Sequence, residues 1–180
     1  MASQVTLNHL FQVRILTGHQ MNIQINKILA YTDALNIAKK NSHFFNPSGL
    51  KMMVEDFKTG ILFGAYYEQN LVGFIYFKEI NDQVIELGWM AVELKLQGRG
   101  IGTLLVNEGL KLISNKYIIC EMKTLSEIDP DPGYTRTRNF YKKLGFIPLE
   151  TVTPYKDWGK DNPCQFFIKI LKNEESTTCQ

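Results

Sequence analysis

The sequence has few cysteines, and this scarcity argues against a disulfide framework. Only Cys120, Cys164 and Cys179 occur among 180 residues, and none belongs to a C-x-x-C pair. An odd number of scattered thiols is typical of a reducing compartment, so we expect a cytoplasmic protein. A chain of this length can bury a complete core without disulfides or metal.

Strong charge of one sign is also missing. The chain carries 20 Lys and Arg against 18 Asp and Glu, which gives a net charge of +2. The basic face that nucleic-acid binding needs is therefore not expected. The three histidines, His9, His19 and His43, are widely separated, whereas zinc ligands usually come in closely spaced pairs. We predict no metal site.

Long apolar runs and internal repeats are absent as well. No stretch reaches the ~20 apolar residues that cross a membrane, and Met1–Gln12 lacks the apolar segment of a signal peptide. We expect one soluble domain over residues 1–180, with an unassigned N-terminal extension (1–20) and a polar tail (173–180). The oligomeric state stays open, with a homodimer among the options.

What the sequence does contain is a series of strand and helix patterns. Stretches rich in β-branched and aromatic residues predict strands, and apolar residues three or four apart predict helices. The predicted strands are Met21–Leu29, Ile61–Tyr67, Leu71–Ile80, Val84–Val92, Tyr117–Met122, Phe146–Val152 and Gln165–Leu171. The predicted helices are Tyr31–Lys40, Leu50–Lys58, Gly102–Asn115 and Tyr134–Leu144. This order predicts an α/β (α+β) fold, a mixed sheet with helices on both faces.

A glycine-rich loop lies between the strand Val84–Val92 and the helix that follows it. Its sequence is Gln97-Gly98-Arg99-Gly100-Ile101-Gly102. The first turn of a helix offers unpaired N–H groups and the positive end of the dipole, and glycines let phosphate oxygens approach the backbone. No lysine follows Gly102, which excludes a Walker loop, and Thr103 stands where a dinucleotide fingerprint needs its third glycine.

The Q-x-x-G-x-G pattern resembles the acetyl-CoA pyrophosphate loop of the GNAT acetyltransferase superfamily. A second segment, Asn139-Phe140-Tyr141-Lys142-Lys143-Leu144-Gly145-Phe146, resembles that superfamily's F-Y-x-K-x-G-F signature. The resemblance covers roughly residues 61–171. It implies the GNAT fold, a mostly antiparallel sheet of about seven strands, and transfer of an acetyl group from acetyl-CoA to an amine.

The resemblance also implies a set of cofactor-binding residues. The strand segment Met90-Ala91-Val92 would pair with the pantetheine arm through its backbone, at a place where the sheet splays open. The pyrophosphate would take N–H groups of the loop, and Gln97 would brace the loop or touch the ligand. Asn139 remains a candidate for the asparagine contact to pantetheine, because Tyr134 stands where many members carry that asparagine. The loop residues concerned are Gly98, Arg99, Gly100, Ile101, Gly102 and Thr103.

Two side chains are candidates for acid–base catalysis. Tyr141 matches the tyrosine that protonates the leaving thiolate in many members, although it could instead pack like its neighbour Phe140. The neighbouring helix positions 140 and 141 are not expected to face the core together, and this favours a catalytic role for Tyr141. Glu86 is the lone carboxylate in an apolar strand, eleven residues before Gln97, and matches the general base of the lysine acetyltransferase branch. The alternative for Glu86 is a carboxylate at the mouth of the strand, paired with an arginine or solvated.

The acceptor is not specified by these motifs. Tyr155 and Trp158 lie in a segment between the last two strands where aromatic rings and carboxylates could hold an ammonium group. The same segment could simply cover the core. The expected acceptor is a small-molecule or exposed protein amine. Two rivals remain: a non-catalytic acyl-CoA sensor on the same fold, and an unrelated nucleotide-binding protein that uses the glycine loop.

Overall fold

A computed structural model describes residues 11–15, 21–28 and 30–171 of the chain. Its strands are β1 Phe11–Ile15, β2 Met21–Lys27, β3 Ile61–Tyr67, β4 Asn70–Glu79, β5 Val84–Val92, β6 Ile119–Leu125, β7 Ile147–Val152 and β8 Cys164–Ile170. Its helices are α1 Thr32–Lys40, α2 Pro47–Asp56, α3 Ile101–Ile113 and α4 Pro132–Lys143, with a short 3-10 turn at Leu94–Leu96. The predicted polar tail and Cys179 lie outside the described residues.

All eight strands form one sheet, in the order β1-β2-β3-β4-β5-β6-β8-β7. Every neighbouring pair is antiparallel except β5 and β6, which run parallel. The predicted mixed, mostly antiparallel sheet is thus confirmed, with one strand more than the expected seven. The additional strand is β1, which lies in the stretch that the residue pattern left unassigned.

The two faces of the sheet each carry a separate core. Alternate residues of β4 point to opposite sides, as strand geometry requires. Ile75 and Phe77 join the larger cluster, which also contains the buried side of α3 and Tyr141 of α4. Phe74 and Tyr76 join the smaller cluster, together with residues of α1 and α2. The prediction of helices on both faces is confirmed.

Helix α2 begins three residues before the predicted Leu50. Asn46 caps it by accepting a hydrogen bond from the Gly49 N–H at 2.8 Å, and Pro47 occupies the first turn. Both residues favour a helix start. The predicted end at Lys58 was also wrong, since the helix stops at Asp56.

Strand β5 contains a bulge at Gly88 that reverses its face pattern. Leu87 is the partner of Phe77 on β4, but Tyr76 pairs with Trp89, so Gly88 has no partner. A Cβ atom at Gly88 would lie 3.3 Å from the Tyr76 ring. Leu87 therefore belongs to the larger core and Trp89 packs against the smaller one. A bulge bends a strand and redirects its side chains, and this one lies where β5 leaves β6.

Candidate functional site

Strands β5 and β6 separate after only four residue pairs. Their parallel ladder runs from Val84 with Ile119 to Leu87 with Met122. Beyond that point, as far as the structure describes the chain, β5 pairs only with β4 and β6 only with β8. Backbone N–H and C=O groups on the facing edges of both strands are then available to a third, extended partner. The splay that the resemblance predicted beside Met90-Ala91-Val92 is present.

The glycine loop and the start of α3 lie at the end of β5. Gly98 and Gly100 have left-handed backbones with φ of 75° and 81°, a region that favours glycine. Gly100 is the N-cap of α3, and no side chain caps this helix. Helices α2 and α4, in contrast, are capped by Asn46 and Asp131. The N–H groups that begin α3 are therefore available for an anion.

Three elements converge beside this loop. A Cβ atom at Gly102 would lie 3.4 Å from Cζ of Phe140 on α4 and 3.8 Å from Cε of Met90 on β5. The first turn of α3 thus lies close to both the α4 helix and the separated part of β5. Lys95 and Arg99 are exposed next to the loop, and they add positive charge where phosphate would bind.

Tyr141 is buried in the larger core at 5% exposure. Its ring packs edge-to-face on Phe140, with ring centroids 5.0 Å apart, and on Phe146 at 5.4 Å. Phe140 also packs on the same cluster, so the expectation that only one of the two aromatics can face the core is wrong. Burial raises the pKa of Tyr141, and the nearby Cys120 thiol adds to the effect.

The polar residue that α4 turns toward β6 is Arg138, which the sequence reasoning did not single out. It is 7% exposed and donates hydrogen bonds to the carbonyl oxygens of Leu125 at 2.8 Å and Ser126 at 2.9 Å. It therefore fixes α4 to the end of β6. Asn139 lies on the exposed side of α4, whereas Tyr134 is half-buried against Phe44.

Glu86 is ion-paired rather than isolated. Its Oε2 lies 2.9 Å from Nζ of Lys123, which also lies 2.8 Å from Oε1 of Glu121. The Lys123 side chain is 12% exposed. Burial lowers the pKa of Lys123, but hydrogen bonds and attraction from Glu121 and Glu86 outweigh it, so that the pKa is raised. Glu86 is therefore a paired carboxylate, as the alternative held, but its partner is Lys123 and not the expected arginine.

The predicted acceptor residues lie next to this ion pair. Nζ of Lys123 lies 5.4 Å from the ring centroid of Phe166 on β8. Tyr155 packs on that ring at 5.7 Å, and Trp158 packs on Tyr155 at 5.5 Å. A continuous row of aromatic rings therefore leads from the segment between β7 and β8 to the cation held by Glu86.

The acid and base candidates lie on opposite faces of the sheet. Tyr141 belongs to the core under α3 and α4. Glu86 is adjacent in β5 to Ile85 and Leu87, which both point into that core, so its side chain points to the other face. Glu86 precedes the last residue of β5 that pairs with β6, and Lys123 follows the last residue of β6 that pairs with β5.

Comparison with known proteins agrees with this geometry. The sequence matches the Acetyltransferase (GNAT) family over residues 31–146, which is more than half of the chain. The protein therefore belongs to the GNAT acetyltransferase family. No curated protein matches the sequence closely enough to count as a relative.

Solved GNAT structures share the fold at low sequence identity. A GNAT family acetyltransferase from Elizabethkingia anophelis with acetyl-CoA bound has a TM-score of 0.67 and 19% identity, covering 83% of this chain and 98% of its own. The aminoglycoside 6'-N-acetyltransferase from Enterococcus faecium has a TM-score of 0.65 and 20% identity, and the match covers 83% of this chain and 97% of that protein. The ribosomal-protein-S18-alanine N-acetyltransferase from Escherichia coli has a TM-score of 0.65 and 13% identity, and the match covers 88% of this chain and 99% of that protein.

Within the described part of the chain, no helix combines the length and the hydropathy needed to cross a membrane. Sequence reasoning missed three residues in this region: Arg138, Lys123 and Glu121. Alternation along β6, where Cys120 and Met122 are buried, could have placed Glu121 and Lys123 together on the other face.

Proposed function

We propose that this protein transfers an acetyl group from acetyl-CoA to a primary amine by direct attack in a ternary complex. The observation that carries the proposal is the separation of β5 from β6 beside the uncapped start of α3. Pantetheine amides would pair with the edge of β5 at Met90-Ala91-Val92. The pyrophosphate would take the N–H groups of the loop, and Arg99 would add positive charge.

In the proposed reaction, the amine loses a proton to Glu86, directly or through a water molecule. Its nitrogen then attacks the thioester carbonyl carbon, and the carbon–nitrogen bond forms. The tetrahedral intermediate collapses as the carbon–sulfur bond breaks, and the leaving thiolate takes a proton from Tyr141. A tyrosine holds its proton at neutral pH, so Tyr141 can supply one to the thiolate, although burial raises its pKa and makes it a weaker acid than a free tyrosine.

Lys123 sets a requirement for the proposed base. Its ammonium group contacts the carboxylates of both Glu86 and Glu121. An acceptor amine must therefore reach Glu86 beside this cation or through bridging water. Tyr155 and Trp158 are the proposed acceptor-binding residues, since their rings continue the aromatic row at Phe166. We further propose a cytoplasmic location, which fits the two buried unpaired thiols Cys120 and Cys164.

The acceptor class is identified by testing amines of several kinds. The Enterococcus faecium and Escherichia coli neighbours act on an aminoglycoside and on a protein alanine, respectively, by their names. A panel of aminoglycosides, polyamines, amino acids and peptides covers both kinds. Release of free coenzyme A thiol from acetyl-CoA, measured for each amine, identifies the acceptor.

Tyr141→Phe is the matched test of catalysis. It should lower kcat by about 10²–10⁴-fold, the usual contribution of a general acid, while the Kd for acetyl-CoA stays close to wild type. Tyr117→Phe provides the control. Tyr117 is similarly buried, but its hydroxyl donates to Glu79, which lies away from the splay between β5 and β6. A Tyr141→Phe protein with wild-type kcat would return Tyr141 to a packing role.

The ion pair at Glu86 favours one alternative, a non-catalytic acyl-CoA sensor, because the proposed base is already engaged. The two functions differ in a single measurement. A sensor binds acetyl-CoA by calorimetry but releases no thiol with any amine of the panel. The proposed enzyme does both.

A further inference from the structure

Asn41 is a buried amide at the end of α1 whose polar groups are all engaged. It is 4% exposed. Its backbone carbonyl oxygen accepts hydrogen bonds from the N–H groups of Phe44 at 3.0 Å and Phe45 at 3.2 Å. Its side-chain Nδ2 donates to the carbonyl oxygen of Ile37 at 2.9 Å. A buried amide with complete hydrogen bonding holds one conformation, since breaking any bond leaves an unpaired polar group.

The same side chain reaches the end of β5 and the glycine loop. Nε2 of Gln97 donates to Oδ1 of Asn41 at 3.0 Å and to the carbonyl oxygen of Val92 at 3.2 Å. Nδ2 of Asn41 donates to the same Val92 oxygen at 3.4 Å. The two amides and the last carbonyl of β5 thus form a closed triangle of hydrogen bonds, which connects elements more than fifty positions apart in sequence.

This triangle of hydrogen bonds holds the side chain of Gln97, the first residue of the glycine loop. Gln97 immediately precedes Gly98, and residues 97–100 are exposed at the surface. Glycines have wide backbone freedom, so a loop that contains two of them in three residues needs an external anchor to hold one shape. The side chain of Gln97, held by Asn41 and Val92, supplies that anchor at the entrance of the loop.

We infer that Asn41 is a positioning residue for pyrophosphate binding, which acts through Gln97 and does not itself touch the ligand. The inference rests on the proposed function, since it takes the glycine loop as the coenzyme A site. A ligand gains affinity when its site is held in the binding conformation beforehand. Loss of the Asn41 amide releases Gln97. Ordering the loop then costs part of the binding free energy, so the affinity falls.

The test compares two ligands that differ in the 3'-phospho-ADP half of coenzyme A, which contains the pyrophosphate. Dissociation constants for coenzyme A and for pantetheine, which has no pyrophosphate, are measured by calorimetry for wild type, Asn41→Ala, Gln97→Ala and the double variant. The Kd for coenzyme A should rise about tenfold in each single variant and no further in the double variant, because interacting residues are non-additive. The Kd for pantetheine should stay unchanged.

Each other outcome overturns the inference in a recognisable way. An equal loss of affinity for both ligands shows that Asn41 only maintains the fold, and additive losses in the double variant show that it does not act through Gln97. A wild-type protein that binds neither ligand overturns the proposed function and the inference with it. Asn41→Ser, which keeps a hydroxyl donor for Ile37 but cannot reach Gln97, replaces Asn41→Ala if the latter does not fold.

Discussion

Gly100 and Gly159 have nearly the same backbone conformation but different surroundings. Their φ angles are 81° and 83°, so a side chain at either position costs about 1–2 kcal/mol of strain. Only Gly100 lies at the start of α3, where phosphate would approach the backbone. Gly100→Ala should therefore raise the Kd for coenzyme A at least about tenfold by calorimetry, because the methyl group adds a steric contact.

Gly159→Ala is the strain-matched control, since a Cβ atom there would meet no heavy atom within 4 Å. It should lower the free energy of unfolding as much as Gly100→Ala does and leave the affinity for coenzyme A unchanged. Equal affinities in the two variants would show that the loop is not the coenzyme A site.

Glu86 and Glu121 offer a matched pair of carboxylates. They are partners across β5 and β6, and they lie 2.9 Å and 2.8 Å from the same Lys123 ammonium. Each substitution by glutamine removes one negative charge from the surroundings of Lys123. Only Glu86, however, is proposed to take the proton of the amine. Glu86→Gln should lower kcat/KM by about 10²-fold or more, most strongly at low pH, where the amine is most protonated.

Glu121→Gln should leave most of kcat/KM in place. The measurement is the pH profile of kcat/KM for both variants with the acceptor that the panel identifies. Equal losses in both would mean that the two carboxylates act only by holding Lys123. Wild-type rates for Glu86→Gln at every pH would remove Glu86 from the reaction.

At the scale of elements, the segment between β7 and β8 is the proposed wall of the acceptor site. Trp158 is half-buried and contacts Tyr155, and the backbone N–H groups of Trp158 and Gly159 bond to the Tyr155 carbonyl at 3.1 and 3.0 Å. These bonds define a local turn, so the segment can change without disturbing the coenzyme site. Trp158→Ala should raise the KM for the amine and spare the Kd for acetyl-CoA. Parallel losses of both would identify Trp158 as structural.

The start of α4 is fastened by a carboxylate whose contribution depends on pH. Asp131 accepts a hydrogen bond from the Gly133 N–H at 2.6 Å and lies 3.1 Å from Nε2 of His43 in the loop between α1 and α2. The Gly133 N–H, with His43 adding to it, holds the pKa of Asp131 below its usual value. The folded pKa is thus lower than the unfolded value of about 3.9, so Asp131 stabilises the fold fully above that pH.

Asp131→Ala should therefore lower the free energy of unfolding at pH 7. The difference from wild type should shrink as the pH falls below about 4 and through the folded pKa, because protonated Asp131 no longer provides the charge. Denaturant unfolding at pH 7 and pH 3 measures this. Asp131→Asn, which keeps the capping oxygen without the charge, should show little of the pH dependence. A constant difference at both pH values would contradict the assignment.

At the scale of the whole molecule, the strands and helices could be predicted where a local pattern dominates. Strands β3 and β5 match their predicted bounds, Ile61–Tyr67 and Val84–Val92. The bulge at Gly88 could not be predicted, because an apolar residue satisfies either face of a doubly covered strand. For the same reason the sequence could not show that Leu87 and Trp89 lie on opposite faces.

The candidate site divides in a similar way. The glycine loop is contiguous in sequence and carries its own signal in its glycine spacing. The Lys123 ion pair joins two strands, and the Asn41 triangle joins a helix end to a loop 56 positions away. Such contacts depend on how elements assemble, which a single sequence does not encode locally. For this reason neither the Lys123 ion pair nor the Asn41 triangle was predicted.

The joint between β5 and β6 has a consequence for turnover of the protein in the cell. Among the described strands, a ladder of four residue pairs connects β1–β5 to β6–β8 within the sheet, so local opening along this line would expose the chain to proteases. A coenzyme seated in the splay and paired with the edge of β5, as proposed, would fill the gap between the two strands and oppose that opening. At one hundred times its Kd a ligand adds about 2.7 kcal/mol to the native state by mass action. Cellular abundance of the protein should therefore follow the supply of its own coenzyme.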